Sequence, residues 1–556
     1  MEKSRGISDL TLIVAMMAAA GVMSAYLMVR NPGVGGDSLR HLIPVHNLVQ
    51  GRGYTYFGST ELLLTPGYGI LSYMTYLLVG DIEYSAALIS SISYLLSIPL
   101  AYYACRLMFG RGPALLSAFL FLNTPMLASS SSLSTTECVF TFFLLLSLYA
   151  YLQSVINGGG VWRQIILGAS MGVTYLIRPE GFIILPPALL FMYGVTVHEA
   201  RAAGRRDRRM FLESLKKPAI VLMSFSLCAA PYVLFLHGHT GRWMISTKME
   251  YNLLVGERVV DGVGHVDALM HSHPEYFKPG YRLGLLEYLE SRGGKYLVRL
   301  RRNIMQLMVF TCMMSFHAIV PLAIIVLGLA LTTTAFLDFR ARMGLTGVKV
   351  TASLAIFALP AVSYVFFFVK ERFLLPYAMI LLMPAAYAMH HLTVRLLSYY
   401  GRERWVRDAL LLLCLTSFTV SSGVHGVYIL KSFNEVFREG NVHESMRKAG
   451  LWLRESVVDT GGLRIISPRK GDVILFYATG GGIPGGTYAD ITPDMSLYDV
   501  SENLDEDGGY LVLESTYVNT RPNTLPLWEN PETAGDYGLD LVYKDDEGLF
   551  QVYGRL

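Results

Sequence analysis

The sequence predicts an α-helical polytopic membrane protein of about eleven transmembrane helices, followed by a C-terminal extracytoplasmic α/β domain. Three observations predict it. Of 556 residues, 53% are apolar or aromatic and only 16% are charged, where an ordinary soluble domain carries about 25% charged residues. Apolar stretches long enough to cross a bilayer recur along the chain. Charge divides sharply: residues 1–439 hold 37 Lys+Arg against 24 Asp+Glu, whereas residues 440–556 hold 9 against 19. A basic embedded body with an acidic soluble tail follows, and a soluble enzyme or a disordered chain is excluded.

The spans are expected at 9–29, 84–107, 113–128, 135–154, 162–177, 181–198, 218–236, 317–337, 350–369, 373–393 and 408–430. The first is too long for a signal-peptide core and ends on no convincing cleavage site, so it reads as a retained span. Orientation follows from Lys and Arg. Lys3 and Arg5 put the N-terminus in the cytoplasm, together with Arg106/Arg111, the loop 199–217 with Arg201, Arg205, Arg206, Arg208, Arg209, Lys216 and Lys217, then Arg340/Arg342/Lys349 and Arg395/Arg402/Arg404/Arg407. All fall on one side only if the weakly apolar run 62–79 does not cross. It reads as a re-entrant or interfacial helix within a first outer loop, 31–83.

Domain organisation follows: a membrane module over 1–430, with outer loops at 31–83 and 237–316, and an outer α/β domain over 431–556. In the tail, 442–457 has helical spacing, while 463–467, 473–477 and 510–513 read as strands. Residues 539–543 and 549–553, separated by Lys-Asp-Asp-Glu-Gly, read as a hairpin. Gly480 to Gly486 lacks phosphate-loop spacing and reads as a plain loop. The five cysteines lie in or beside apolar runs, none in the tail, and make no CxxC pattern; they read as small buried residues.

Most of the non-membrane mass therefore faces outward, and candidate chemistry collects there. Asp37 follows Gly33-Val34-Gly35-Gly36 just outside the first span. It reads either as the cap of the following surface helix, whose Leu39, Leu42, Ile43 and Val49 share one face, or as a reactive carboxylate at the membrane boundary. Glu137 begins the fourth span, either as an ordinary first-turn acid or as a group facing a polar cavity. Arg178-Pro179-Glu180-Gly181 and Lys370-Glu371-Arg372 put cations outside, against the topological bias. Binding of an anion explains them, as does internal pairing with Glu180 and Glu371. His237/His239 and His271/His273 are HxH pairs, a weak metal pattern that reads as solvated loop histidines. Met305 to Met314 reads as an apolar packing helix.

The order of these features resembles the GT-C class of membrane glycosyltransferases, and within it the branch of protein O-mannosyltransferases and lipid A aminoarabinose transferases. The resemblance rests on Asp37-Ser38-Leu39-Arg40, Thr65-Pro66-Gly67-Tyr68, Leu107-Met108-Phe109-Gly110-Arg111, Thr136-Glu137, Arg178 to Gly181 and Glu371 to Pro376, in that order and on those sides. Each motif is short, and together they cover nearly the whole chain. Where many relatives have Asp-Glu in the first loop, this chain has Asp37-Ser38. The tail does not resemble the β-trefoil insert of eukaryotic O-mannosyltransferases.

The resemblance implies transfer of a sugar from a polyprenyl (dolichyl or undecaprenyl) phosphate donor to a hydroxyl on the outer face of the plasma membrane, with inversion. It implies Asp37 as general base, Glu137 as a catalytic acceptor-orienting group, and Lys370, Arg372 and Arg178 on the donor phosphate. His41, Tyr68, Glu180 and Glu371 would position substrate. No cofactor is assigned; where a divalent metal is used, Asp37 and Glu137 would bind it. The partners implied are the lipid-linked donor, a protein, glycan or lipid acceptor, and membrane lipids, but no nucleic acid. Two alternatives remain. A transporter or lipid-binding protein without chemistry predicts polar groups at mid-membrane rather than at helix ends. An oligosaccharyltransferase-like enzyme predicts a DxD-type motif in the second outer loop, which here reads Ser129-Ser130-Ser131-Ser132.

Overall fold

The computed structural model describes residues 8–30, 34, 36–56, 59–158, 160–205, 207–248, 251–253, 285–316, 344–367, 369–400, 444–457, 463–468, 470–480, 487–491, 495–504, 509–515, 518 and 521–556. The expected spans at 317–337 and 408–430, the histidines at 265, 271 and 273, and the glycine-rich run 481–486 lie outside them.

The membrane module is built from α1 (Asp9–Arg30), α2 (Gly36–Val49), α3 (Gly67–Val79), α4 (Ile82–Phe109), α5 (Arg111–Leu122), α6 (Pro125–Ser130), α7 (Thr136–Ile156), α8 (Val161–Ile177), α9 (Leu185–Ala202), α10 (Arg208–Thr240), α11 (Leu285–Phe316), α12 (Leu345–Ser363) and α13 (Glu371–Tyr400). Among the described residues, 7 helices are long and apolar enough to cross a membrane. The expected span 113–128 is shorter than predicted. It breaks after Leu122, and Pro125 opens the separate helix α6, because proline cannot continue a helix through its own missing N–H. The 13 residues of α3 reach about 20 Å, short of the roughly 30 Å hydrocarbon core. Residues 285–316, expected as outer loop up to the Met-rich segment, form one helix.

Packing between the helices relies on small and hydroxylated residues, because in lipid an apolar surface gains little by meeting another helix. Gly168 and Gly172 of α8 face α10 so closely that a Cβ on either would stand 2.3 Å from the Val221 carbonyl oxygen or 2.6 Å from the Cys228 Cβ. Buried hydroxyls then link helices: Ser24 to Ser91 and Ser131 to Ser24, both at 2.8 Å, and Ser147 to Ser170 at 3.0 Å. At one end of the bundle Asp9 of α1 binds Arg111 at 2.7 Å and the Tyr102 hydroxyl at 2.6 Å.

The C-terminal part contains α14 (444–456), α15 (Gly471–Ala478) and a mixed five-stranded sheet. Its strands are β3 (Arg464–Ser467), β4 (Thr487–Asp490), β5 (Gly509–Glu514), β6 (Leu539–Lys544) and β7 (Phe550–Arg555), in the order β4-β3-β5-β7-β6; β1 and β2 (Thr55–Tyr56, Ser59–Thr60) form a two-stranded ribbon between α2 and α3. β3 runs parallel to β4 and β5, and β7 is antiparallel to β5 and β6. Residues 473–477, read from the sequence as a strand, belong instead to α15. Val-Ile-Leu-Phe-Tyr is buried on every side, and a short unbroken apolar run does not distinguish a buried strand from a buried helix. Connecting β3 to its parallel neighbour β4 requires a crossover, and α15 is that crossover.

Candidate active site

The candidate site forms where the starts of α2, α7 and α13 and the end of α8 meet. The Thr65-Pro66-Gly67-Tyr68-Gly69 segment makes this convergence possible. A Cβ on Gly67 would lie 2.6 Å from the Leu176 carbonyl oxygen, and one on Gly69 would lie 2.1 Å from the His41 carbonyl oxygen. Glycine at both positions lets α3 wedge between α2 and the end of α8. Thr65 seals the junction by donating to the Ile177 carbonyl at 3.0 Å. Tyr68 is buried, donates to the Ala86 carbonyl at 3.0 Å, and meets the His41 ring edge-on at 5.4 Å. The structure therefore gives His41 and Tyr68 partners within the protein, at the seam between α2, α3 and α4.

Asp37 is the second residue of α2, in its first turn and not at the cap position; its side chain is outside the described set. The next residue fixes the helix. Ser38 is buried and its hydroxyl donates to the Ser134 carbonyl. Ser134 lies two residues before α7, so this bond sets the Asp37 segment beside the helix start that carries Glu137.

Glu137 and Arg178 form a buried ion pair. Arg178 Nη2 donates to Glu137 Oε1 at 2.6 Å and Nε to Thr136 Oγ1 at 2.8 Å, with Arg178 and Glu137 only 6% and 3% exposed. The internal partner of Arg178 is thus Glu137, not the adjacent Glu180 considered from the sequence. Glu180 lies in the 3₁₀ turn Pro179–Ile184 and is half-buried. Among the described residues, Arg178 Nη1 and Glu180 Oε2 are buried without a hydrogen-bond partner.

Arg372, in the first turn of α13, joins this group. Its guanidinium lies 5.3 Å from the centre of the Phe373 ring, and that of Arg178 lies 5.8 Å from the same ring. Both cations thus lie near one aromatic ring, and the charge of Arg372 acts on Glu137. Lys370 is half-buried in the turn just before α13; Glu371 is the first residue of that helix, and its side chain is not described.

Several supporting residues are not evident in the sequence. Arg299 is buried in α11 and donates to the carbonyls of Leu253 and Phe366 at 2.8 and 3.2 Å, while Asn303 donates to those of Val365 and Phe367 at 2.9 and 3.1 Å. These two side chains hold the turn that leads into Lys370. The basic cluster Arg299, Arg301 and Arg302 just ahead of the Met-rich segment was the available sequence signal. Arg40, one turn beyond Asp37, lies 5.1 Å from the Tyr56 ring and 3.8 Å from Glu61. The Tyr56 hydroxyl donates to Asp472 Oδ2 of the C-terminal part at 2.7 Å. Burial pushes the Asp472 carboxyl above its ordinary range, opposed by that hydrogen bond.

Glu137 commits one oxygen to Arg178, His237 and His239 lie at the end of α10, and the described residues hold no group of three His, Cys, Asp or Glu side chains.

The fold is similar to that of solved structures of ArnT and of an archaeal oligosaccharyltransferase. Residues 65–207, which include the Thr-Pro-Gly-Tyr segment, Glu137 and Arg178, match the family model of dolichyl-phosphate-mannose-protein mannosyltransferases. The structure resembles ArnT from Cupriavidus metallidurans bound to undecaprenyl phosphate over 98% of both chains, with a TM-score of 0.54 and 13% identity. It resembles the Archaeoglobus fulgidus oligosaccharyltransferase in complex with zinc and sulfate over 97% of this chain and 73% of that one, at TM-score 0.57 and 14% identity. It likewise resembles AglB of Archaeoglobus fulgidus in complex with an inhibitory peptide and a dolichol-phosphate, over 98% of this chain and 74% of that one, at TM-score 0.55 and 15% identity. A comparison with curated proteins finds no match.

Proposed function

We propose that this chain is a glycosyltransferase that moves a sugar from a polyprenyl-phosphate donor to an acceptor hydroxyl on the outer face of the membrane. The observation that carries it is the convergence of Arg178 and Arg372 on Phe373, beside Glu137 and the segment bearing Asp37. The matched family and the lipid phosphates bound by ArnT and AglB supply the donor class.

In this reading Asp37 accepts the proton of the acceptor hydroxyl. The hydroxyl oxygen bonds to the anomeric carbon as the bond to the phosphate oxygen breaks, and a single displacement inverts that carbon. The leaving phosphate carries the charge that Arg178, Arg372 and Lys370 neutralise in a site closed to water. Glu137 holds Arg178 in place and orients the acceptor. Glu180 and Glu371 flank the cations, and His41 and Tyr68 act through the α2–α3 seam.

The orientation belongs to the same proposal. Arg201, Arg205, Arg208 and Arg209 are exposed between α9 and α10, at the opposite end of these helices from Arg178. Positive charge seeks the cytoplasm, so the site and residues 431–556 face outward, with the N-terminus inside. This also suits the substrate, since a lipid-linked donor is available at the outer leaflet. Asparagine at position 37 keeps the shape and cannot accept a proton. Asp37→Asn should lower transfer of labelled sugar by about 10²–10⁴ with an unchanged thermal melt and intact donor binding. A folded, fully active variant would remove Asp37 from the mechanism. Running single-sugar and whole-glycan donors side by side separates a monosaccharide transferase from an oligosaccharyltransferase-like enzyme.

A further inference from the structure

We infer that the C-terminal domain is a working part of the active site: its helix α15 positions the segment that carries Asp37, with Tyr477 and Asp472 as the positioning residues. The inference rests on the proposed role of Asp37.

Pro32-Gly33-Val34-Gly35-Gly36 brings only one non-proline side chain to the approach to Asp37, and glycine restrains its own backbone least of all residues. The C-terminal domain grips it on both sides. Three residues before Asp37, the Val34 backbone N–H donates to the Tyr477 hydroxyl at 3.2 Å, and Val34 is fully buried. Three residues after Asp37, Arg40 lies over the Tyr56 ring, whose hydroxyl donates to Asp472 Oδ2 at 2.7 Å. Asp472 Oδ1 accepts from the Val473 backbone N–H at 3.0 Å, which orients the carboxylate.

Both anchors come from one helix of eight residues, Gly471–Ala478. A third contact ties the domain to the bundle: Arg447 of α14 lies 3.9 Å from Glu83 in the first turn of α4. The apolar core is continuous across the junction, with Leu39, Ile43 and Tyr56 in the same cluster as Val473 and Tyr477. A buried N–H left without an acceptor is costly, and one residue separates Val34 from the start of α2. Losing that hold leaves the start of α2, and Asp37 with it, free to shift, and misplacing a reacting group by about 1 Å costs on the order of 10²-fold in rate.

The test uses the full chain in lipid nanodiscs, with kcat and donor KM measured separately and hydrogen exchange followed over residues 34–45. Tyr477→Phe removes one oxygen, and Asp472→Ala removes the acceptor for Tyr56. Each should lower kcat by about 10- to 100-fold, leave donor KM within about twofold, and speed exchange of the 34–40 amides. Asp472→Asn keeps an oxygen for Tyr56 and should retain kcat. Lys448→Ala, which breaks an exposed ion pair with Glu547 elsewhere in the domain, should behave as wild type.

Wild-type kcat and wild-type exchange in both Tyr477→Phe and Asp472→Ala, with Asp37→Asn inactive, would overturn the inference and leave the proposed function standing. Full activity in Asp37→Asn would overturn the proposed function instead, and exchange alone would then decide whether α15 orders the segment. A loss of kcat matched by a general fall in melting temperature would also count against a positioning role. If Asp472→Ala fails to fold, Tyr477→Phe decides the matter.

Discussion

Removing Arg178 tests two claims at once, that it neutralises Glu137 and that it holds the donor. Its guanidinium spends Nη2 on Glu137 at 2.6 Å and Nε on Thr136 at 2.8 Å, in a place that solvent barely reaches. Arg178→Met fills similar volume and leaves Glu137 charged and buried. Stranding one member of a buried pair costs about 3–5 kcal/mol. Replacing both members with apolar residues is often neutral, so Arg178→Met combined with Glu137→Leu should recover most of that loss. An interhelical hydrogen bond within a membrane averages only about 0.6 kcal/mol, so the stranded charge dominates and the coupling should exceed about 2 kcal/mol. Transfer activity should not recover with stability. The proposed phosphate contact would be worth about 1.5–3 kcal/mol, a ten- to hundredfold loss of donor affinity. The measurements are reversible unfolding in mixed micelles and single-turnover transfer on the same four proteins. Arg178→Met within 1 kcal/mol of wild type would refute the buried-pair reasoning, as no larger cost than that of a neutral bond would be visible. A stable double variant with full donor affinity would make Arg178 purely structural.

Three further outcomes are expected. Arg372→Ala should weaken donor binding by roughly ten- to a hundredfold, measured by titration with the polyprenyl phosphate; unchanged affinity would leave Arg372 as a packing cation on Phe373. Gly69→Ala places a methyl 2.1 Å from the His41 carbonyl oxygen, a backbone atom that cannot swing away, so it should destabilise by about 1–3 kcal/mol and lower activity by displacing α2. A normal melt would show that the α2–α3 seam is loose. A cysteine at the exposed position Glu502 should react with an impermeant thiol reagent on intact cells, and one at Arg205 should not; the reverse pattern would invert the topology.

Some of this protein was legible in one dimension. Spans are legible because lipid demands long, uninterrupted apolar helices, and a count of Lys and Arg gives an expected sidedness. The candidate residues were also visible one by one. Asp37, Glu137, Arg178 and Arg372 stand out as charges at helix ends in a chain where charge is scarce. The β6–β7 hairpin announced itself through alternation around Lys-Asp-Asp-Glu-Gly.

What the residues do to each other was not legible. Glu137 and Arg178 are 41 positions apart, and only the packing of α7 on α8 makes them partners. Local reading offered Glu180, the neighbour in sequence. Residues 473–477 looked like a strand because burial on all sides erases the period that tells strand from helix; a parallel crossover then required a helix there. The bond from Tyr56 to Asp472 spans 416 positions, and neither residue has anything in its surroundings along the chain to suggest it. Composition and periodicity report how each segment meets its solvent, water or lipid. Which charged group faces which is decided by close approach between segments, at glycines such as Gly67 and Gly69, and that is a property of the folded chain alone.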